Sequence, residues 1–210
     1  GNDKDAAKLV AMLTKCQAAL DQGKPVRGID FTDEERALLK PICLITAKPA
    51  MFVGNVSETG FENNPFLDRL KAYADSQNAP VVAICAKIEA ELSEMDDADR
   101  LVFLEEMGQT EPGLNRLIRA AFKLLGLQTY FTAGVKEVRA WTIHVGDTAP
   151  QAAGVIHTDF EKSFIRAEVV DWKDFVELGE AGARDKGKLR IEGKDYVMAD
   201  GDVVEFRFNV

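Results

Sequence analysis

Two short apolar segments without the alternation of a half-exposed strand constrain the fold more than any other feature. The first covers residues 42–54, with a Lys-Pro interruption, and the second is Val81–Cys85. Such segments are typical of strands buried on both faces of a parallel sheet. Between them, residues 65–77 carry apolar side chains at helical spacing. The sequence therefore predicts a strand–helix–strand crossover in an α/β domain.

Helices are predicted on either side of this crossover. Apolar residues recur at spacings of three and four over residues 4–21, and Thr32 with Glu35 has the form of a capping box that starts a short second helix. Two more helices are expected at Asp97–Met107 and Pro112–Leu125.

The pattern changes at about Leu127, where a small mixed α+β domain is expected to begin. Alternating segments predict strands over residues 138–145 and 164–170, and helices fit residues 150–157 and 172–178. Asp200-Gly201, flanked by residues 196–198 and 203–208, predicts a β-hairpin. We place the domain boundary near residue 126.

Composition excludes several classes of protein. The 210 residues carry 26 basic and 35 acidic side chains, a net charge of −9, so binding to nucleic acid or an anionic membrane would need a local basic patch. No apolar run approaches the roughly 20 residues of a membrane span. Three cysteines without CxxC spacing form neither a disulfide framework nor a zinc ribbon, and without a signal peptide we expect a reducing cytoplasm.

A polar tetrapeptide, Asn55-Val56-Ser57-Glu58, directly follows the first buried strand. Ligands of nucleotide-binding α/β sheets lie at the carboxyl ends of strands, and an Asn amide offers a purine both a donor and an acceptor. The second strand ends at Cys85-Ala86-Lys87, which places another loop on the same edge. The alternative is a polar turn at a strand end without any ligand.

The parts that grip phosphates are missing from this sequence. Two glycine pairs have P-loop spacing, but Gly108–Gly113 is followed by Leu114 where Lys is needed, and Gly182–Gly187 by Lys188 and then Leu189 in place of a Mg²⁺-binding hydroxyl. No D-x-x-G motif occurs either. We therefore expect that this chain alone does not catalyse phosphoryl transfer.

The remaining charged clusters have ordinary explanations beside functional ones. His144, His157 and the acidic run from Glu89 to Asp99 lack the spacing of a catalytic or metal site, so structural roles are favoured. Two basic groups could contact phosphates, or could be exposed charge without a partner. They are Arg116, Arg119 and Lys123 on one predicted helix face, and Arg184, Lys186, Lys188, Arg190 and Lys194 in a predicted loop.

Several longer motifs resemble one family, the YchF/Obg-like ATPases. They are Asn55-Val56-Ser57-Glu58 continuing to Pro65, Glu111–Arg116, Leu127–Gly134, His157–Ala167, and Gly193–Tyr196 with Asp200–Asp202. The resemblance covers essentially the whole chain. It implies an α/β fold, namely a partial Ras-like P-loop NTPase G domain with a helical arm, followed by an α+β β-grasp module, the ubiquitin-like TGS domain.

The resemblance also divides the chain. Residues 1–40 are similar to the returning arm and base of a helical coiled-coil insertion, residues 41–126 to the last, base-reading part of the G domain, and residues 127–210 to the TGS domain. The P-loop and the Mg²⁺ ligands are expected upstream of Gly1, so that ATP and Mg²⁺ are cofactors of a longer chain.

Site residues follow from the same resemblance. Asn55 would bind the adenine edge, Val56 would contact it through its backbone, and Glu58 would stand where guanine-reading proteins have Asp. Cys85-Ala86-Lys87 resembles a Ser-Ala-Lys loop but departs at its first residue.

Two functions are expected from the resemblance, and they can coexist. One is the adenine-reading portion of an ATPase that prefers ATP to GTP. The other is a non-catalytic module that binds the ribosome or ribosomal RNA through the TGS domain and the basic group Arg184–Lys194. Neither membrane binding nor reading of a DNA sequence is expected.

Overall fold

The computed structural model describes residues 4–209 and divides the chain into two compact units, the first ending at Leu124 and the second beginning at Leu125. Each unit has a hydrophobic core of its own. Within residues 4–209, no helix is both long enough and apolar enough to cross a bilayer.

The first unit is mostly helical with one small parallel sheet. Its elements are α1 (Lys4–Asp21), α2 (Asp33–Leu39), β1 (Phe52–Asn55), α3 (Pro65–Asp75), β2 (Val81–Ile84), α4 (Ala86–Glu94), α5 (Asp97–Glu106) and α6 (Gly113–Leu125). Short 3₁₀ turns at Val26–Gly28, Lys40–Ile42 and Ile45–Ala47 connect α1, α2 and β1.

The N-terminal helices pack through a compact apolar cluster. Met12 and Cys16, one helical turn apart on α1, are buried against Val26, Phe31 and Leu39. Spacing of four residues places both side chains on one helix face, which explains the burial.

The start of α2 confirms the predicted capping box. The Glu35 N–H donates to Thr32 Oγ1 at 3.3 Å, and the Thr32 N–H donates to Glu35 Oε2 at 2.9 Å. Two N–H groups that the helix leaves without partners are thereby satisfied.

The predicted strand–helix–strand unit is confirmed as β1, α3 and β2. The two strands run parallel, with Phe52 opposite Val81 and Asn55 opposite Ile84. Helix α3 covers the face that carries Gly54, where a Cβ atom would lie only 3.1 Å from Leu67 Cδ1. Glycine at this position thus lets the helix approach the strand closely.

The first predicted strand is shorter than its apolar sequence indicates. Residues 42–45 form no strand, because Pro41 lies in a 3₁₀ turn and Cys43 has a left-handed conformation (φ 54°) that an extended chain cannot accommodate. Burial on both faces was also wrong for β1, since Val53 is 42% exposed on the face away from α3.

The second unit is a five-stranded mixed sheet with three helices. Its elements are β3 (Leu127–Ala133), β4 (Val138–His144), α7 (Ala149–Ile156), α8 (Thr158–Lys162), β5 (Phe164–Asp171), α9 (Trp172–Asp185), β6 (Arg190–Glu192) and β7 (Asp202–Phe208). The strand order is β4-β3-β7-β5-β6, in which only β3 and β7 are parallel. Sequence patterns missed β3 as a strand, and they also missed α4.

Helix α7 packs on this sheet through small side chains. Ala149, Ala152 and Ala153 are fully buried with Tyr130 of β3 and Phe206 of β7. The Tyr130 hydroxyl donates to the Ala152 carbonyl oxygen at 2.9 Å, and burial raises the pKa of Tyr130 well above its usual value. Close packing of the helix therefore depends on alanine at these positions.

The predicted hairpin around Asp200-Gly201 was wrong. Residues 196–198 form only an isolated bridge from Val197 to Thr148, whereas β7 pairs with β5 and β3. The turn bonds elsewhere: Asp200 Oδ1 accepts from the Thr129 N–H at 2.8 Å, and the Gly201 N–H donates to the Thr129 carbonyl at 2.8 Å. These bonds anchor the turn to β3 instead of closing a hairpin.

One buried carboxylate organises the charges of the second unit. Glu168 on β5, 7% exposed, accepts hydrogen bonds from Arg166 at 3.2 Å, Arg184 at 3.3 Å and Arg207 at 3.2 Å. The Arg207 guanidinium, with Arg166, holds the pKa of the Glu168 carboxyl below its ordinary value, although burial opposes the shift. A carboxylate with several donors is stable in its charged form despite burial.

We expect Glu168→Gln to lower the free energy of unfolding of the second unit by about 1–3 kcal/mol, since guanidinium groups lose their charged acceptor. Both tryptophans, Trp141 and Trp172, lie in this unit, so tryptophan fluorescence during urea unfolding reports on it selectively. The difference in unfolding free energy between the variant and the wild type should be fully present above pH 4.5, the ordinary pKa of a glutamate. It should shrink as the pH falls through the lowered pKa of Glu168, because the carboxylate then becomes protonated in the wild type.

Glu205→Gln is the matched control, because Glu205 also pairs with Arg207 but is exposed. Replacing the Glu205 carboxylate should change the unfolding free energy by less than about 0.5 kcal/mol. Equal losses in the two variants would contradict the role given to burial.

Candidate nucleotide site

The carboxyl ends of β1 and β2 form one edge of the small parallel sheet. Asn55 ends β1 opposite Ile84, the last residue of β2, and the loops that follow both strands lie at this edge. Helix α4 begins there at Ala86. The structure therefore brings the two predicted loops together, as parallel pairing requires.

Asn55 is exposed and joins the two loops. Its Oδ1 accepts a hydrogen bond from the Ala86 N–H at 3.0 Å. Its Nδ2 donates no hydrogen bond to any residue in the described part of the chain. With the oxygen occupied and the amino group free, this side chain offers hydrogen-bond donors to a ligand.

Val56 continues the pairing beyond the strand. Its N–H donates to the Ile84 carbonyl oxygen at 2.8 Å, so this donor is used within the protein. Its carbonyl oxygen accepts no hydrogen bond from the residues between 4 and 209. The backbone of Val56 can therefore offer a ligand an acceptor but no donor.

Glu58 and Lys87 form an ion pair across the two loops. Lys87 Nζ lies 2.6 Å from Glu58 Oε1 and 3.9 Å from Glu91 Oε1. The hydrogen bond that Lys87 donates to Glu58 raises the pKa of Lys87, which stays protonated at neutral pH. Both side chains are exposed, so the pair contributes little to stability, but it fixes where the Glu58 carboxylate points.

The cysteine that departs from the Ser-Ala-Lys pattern is part of the core. Cys85 is buried with Ile88, Leu92 and Leu104, whereas Ala86 and Lys87 are exposed at the first turn of α4. Of this tripeptide, only Ala86 and Lys87 lie where a ligand could contact them.

Glu89 on α4 has a role that the sequence analysis missed. Its carboxylate accepts from the N–H groups of Gly113 at 2.8 Å and Leu114 at 3.0 Å, which begin α6. A negative charge at a helix N-terminus is stabilising, and a Cβ at position 113 would lie 2.7 Å from Glu89 Oε1, so a larger residue there would displace the carboxylate. Glu89 therefore fixes the helix that follows the candidate site.

Two of the three basic residues predicted on one face of α6 are bonded to other residues of the protein. Arg116 donates to the Ala83 carbonyl at 3.3 Å and to Gln109 Oε1 at 2.8 Å, and Arg119 pairs with Glu111. Lys123 is exposed. Only Lys123 of the three is therefore available to a phosphate without breaking an internal contact.

The basic group at Arg184–Lys194 is also divided, and only Lys186, Lys188 and Lys194 lie in the loops that the sequence predicts. Arg184 lies in the last turn of α9 and Arg190 begins β6. Arg184 contacts Glu168 and Glu180, and Lys188 lies 3.4 Å from Asp174.

Arg190 is held by a second buried carboxylate. Its Nη2 lies 3.3 Å from Asp202 Oδ1 and 3.0 Å from the Tyr196 hydroxyl, which donates to Asp202 Oδ2 at 2.8 Å. Lys186 and Lys194 are exposed and form no ion pair with any described residue. They are the members of the group with free charge.

No group of three His, Cys, Asp or Glu side chains in the described range could hold a metal ion. His157 Nδ1 instead accepts from the Asp159 N–H at 3.2 Å, which caps α8. The described residues thus do not fit a Mg²⁺ site, and we assign them no step through that ion.

Comparison with known proteins identifies relatives along the whole chain. The family model YchF-GTPase_C, described as a protein of unknown function, matches residues 127–209. The "Ribosome-binding ATPase YchF" of Escherichia coli O157:H7 is 54% identical over 211 residues, covering 100% of this chain and 58% of that relative. The protein of the same name from Bacillus subtilis is 48% identical over 215 residues, covering 99% of this chain and 58% of that relative.

A solved structure shows the same similarity. The YchF GTPase of Schizosaccharomyces pombe superposes with a TM-score of 0.79 at 32% identity, covering 94% of this chain and 53% of that one. The chain thus spans somewhat more than half the length of the relatives it matches. By sequence and by structure, this chain belongs to the YchF family of Obg-like proteins and corresponds to the C-terminal portion of its members.

Proposed function

We propose that this chain supplies the adenine-reading side of the nucleotide site of an ATP-hydrolysing protein. The relatives that it matches are named ribosome-binding ATPases. The observation that carries the proposal is the exposed Asn55 amide, bonded through its oxygen to Ala86 at the carboxyl edge of the parallel sheet. This edge is where nucleotides bind in open α/β sheets.

The division of the chain is part of the same proposal. Residues 1–40 are the returning arm and base of a helical insertion, residues 41–126 the last part of a Ras-like G domain, and residues 127–210 a TGS domain with a β-grasp fold. The parallel β1–β2 pair supports the second assignment, and the mixed five-stranded sheet supports the third.

The hydrogen-bonding groups at the edge suit adenine. The free Nδ2 of Asn55 can donate to N7, an acceptor in both purines. The Val56 carbonyl can accept from the 6-amino group of adenine, whereas it would repel O6 of guanine. The Ala86 N–H, which could donate to O6, is already taken by Asn55 Oδ1.

The ion pair between Glu58 and Lys87 also favours adenine over guanine. Guanine recognition uses a carboxylate that accepts from N1–H and the 2-amino group. Here Lys87 Nζ occupies Glu58 Oε1 at 2.6 Å and compensates its charge. A carboxylate held in this way contributes less to guanine binding than a free one.

These residues bind and orient the base and perform no bond cleavage. Since the sequence contains no P-loop, we expect the 210 residues alone to hydrolyse no ATP. Turnover is expected from a longer chain that also carries the segment preceding this one in the relatives. GTP turnover much faster than ATP turnover in that chain would refute the adenine assignment.

Asn55→Asp should weaken ATP binding to the longer chain about tenfold. The variant keeps an oxygen for the Ala86 N–H but replaces the donor that faces N7 with an acceptor. Isothermal titration with a non-hydrolysable ATP analogue measures the dissociation constant. Asn78→Asp, which makes the same change just before β2 at the opposite edge, is the control and should bind normally.

Glu58→Asp should shift the ratio of GTP to ATP turnover toward GTP by about tenfold. The shorter side chain reaches Lys87 less well, so its carboxylate becomes available to guanine N1–H and the 2-amino group. The ratio of kcat/KM values for the two nucleotides is the measurement. Glu62→Asp shortens another exposed acid of the same loop and should leave the ratio unchanged. An unchanged ratio in Glu58→Asp would contradict the role proposed for the ion pair.

We further propose that the second unit contributes to ribosome binding, as the names of the relatives suggest. Lys186 and Lys194 are the residues of the basic group that can meet phosphates without losing an internal partner. Arg184 and Arg190 stabilise the unit through Glu168 and Asp202.

The double variant Lys186→Gln/Lys194→Gln should reduce co-sedimentation of the longer chain with ribosomes. It should also lower the slope of log K against log salt concentration by about two, one for each lost phosphate contact. Lys136→Gln with Lys162→Gln removes two exposed charges elsewhere in the unit and is the control. Unchanged binding by the first variant would refute the assignment of this basic group.

A further inference from the structure

The first unit contains a cavity that the nucleotide site does not use. It has a volume of about 520 Å³ and lies among residues 26–49, between α1 and β1 in the chain. Its apolar wall includes Val26, Phe31, Leu39 and Leu44. Both the volume and the apolar wall are typical of sites for small molecules.

Four cationic side chains line this cavity, and no acidic side chain does. They are Arg27, Arg36, Lys40 and Lys48. None of the four forms an ion pair with any residue of the described range. We call the space enclosed by these walls and cations the basic cavity.

The acidic residues nearby in the sequence form no ion pair with these cations. Glu35 accepts from the Thr32 N–H in the capping box, and Asp30, Asp33 and Glu34 do not line the cavity. The wall of the cavity therefore combines positive charge with apolar surface and contains no carboxylate, in a chain whose net charge is −9. Local positive potential in a concave apolar site favours an anionic ligand.

Arg27 is bonded inside the protein through two of its nitrogens but not through the third. Its Nη2 donates to Gln77 Oε1 at 2.8 Å and its Nη1 to the Thr46 carbonyl at 3.5 Å. Its Nε is buried and has no hydrogen-bond partner in the part of the chain that the structure describes. Buried donors are almost always satisfied, so the Arg27 guanidinium is not fully paired within the described residues.

We propose that the basic cavity binds a small amphiphilic anion, a molecule with one carboxylate or phosphate group and an apolar body. The acidic group would lie among the four cations, and the apolar body against Phe31 and Leu39. A concave apolar wall distinguishes this site from a flat basic surface for nucleic acid. The site is independent of Asn55 and of the proposed ATPase function.

Cys43 provides a reporter for this site. It is exposed and lines the basic cavity, whereas Cys16 and Cys85, the other two cysteines, are buried. Alkylation by iodoacetamide, an uncharged reagent, should therefore be fast at Cys43 alone, and mass spectrometry of the peptides gives the rate at each site. A ligand in the cavity should slow the reaction at Cys43.

Dodecanoate is the probe, tested below its critical micelle concentration on the 210-residue chain and on the longer chain. We expect saturable protection of Cys43 by dodecanoate, weaker protection by dodecanol, which lacks the charge, and none by acetate, which lacks the apolar body. Equal protection by dodecanol and dodecanoate would overturn the anionic part of the proposal. Protection by acetate alone would overturn the apolar part.

Two variants locate the binding. Lys40→Gln with Lys48→Gln should raise the dissociation constant for dodecanoate about three- to tenfold, since each exposed charge contributes up to roughly 1 kcal/mol. Lys8→Gln with Lys15→Gln removes two exposed charges from α1 and should have no effect. Ala37→Trp, at an exposed α2 position that lines the cavity, should fill the space and abolish protection.

Three results would overturn the proposal. One is unchanged affinity in both the charge variant and Ala37→Trp. Another is protection of Cys43 by an RNA homopolymer but not by dodecanoate, which would make the cavity part of a nucleic-acid surface. The third is full protection of Cys43 in the longer chain without any ligand, which would show that the protein itself fills the cavity.

Discussion

The parallel pairing of β1 with β2 is the constraint on which the candidate nucleotide site depends. Its register places Asn55 beside Ile84, so the next backbone N–H, that of Val56, reaches the Ile84 carbonyl, and the Asn55 amide reaches the first N–H of α4. A slip of one residue would turn Asn55 to the opposite face of the sheet. The glycine at position 54, which lets α3 pack closely on the pair, is thus a condition for the site as well as for the fold.

In the second unit, buried carboxylates decide which basic residues are structural. Glu168 and Asp202 each hold guanidinium groups that reach in from the surface. Withdrawing Arg184 or Arg190 to bind RNA would leave a buried carboxylate with fewer partners, at a cost in free energy that a phosphate contact at the surface scarcely offsets. The fold therefore uses these arginines in internal ion pairs, and the exposed lysines are the residues that our proposal assigns to recognition.

Sequence patterns predicted what depends on neighbouring residues and missed what depends on distant ones. The capping box at Thr32 and the strand–helix–strand unit follow from local spacing, and the meeting of Asn55 with Ala86 follows from parallel pairing. The hairpin at Asp200-Gly201 was wrong because the turn bonds to Thr129, 71 residues away. The pair of Glu58 with Lys87, 29 residues apart, is likewise set by tertiary structure, and residue types alone do not indicate it.

The local balance of charge, more than the net charge of the chain, decides which basic residues are available to bind an anion. A domain can carry many basic residues and still offer little free positive charge when each faces a carboxylate, as Arg184 and Arg190 do. The cations around the basic cavity differ because apolar side chains, and no carboxylates, stand beside them. Apolar surroundings strengthen both the repulsion among like charges and the attraction to an anion. The arrangement of cations beside apolar side chains therefore favours an anionic ligand with an apolar body.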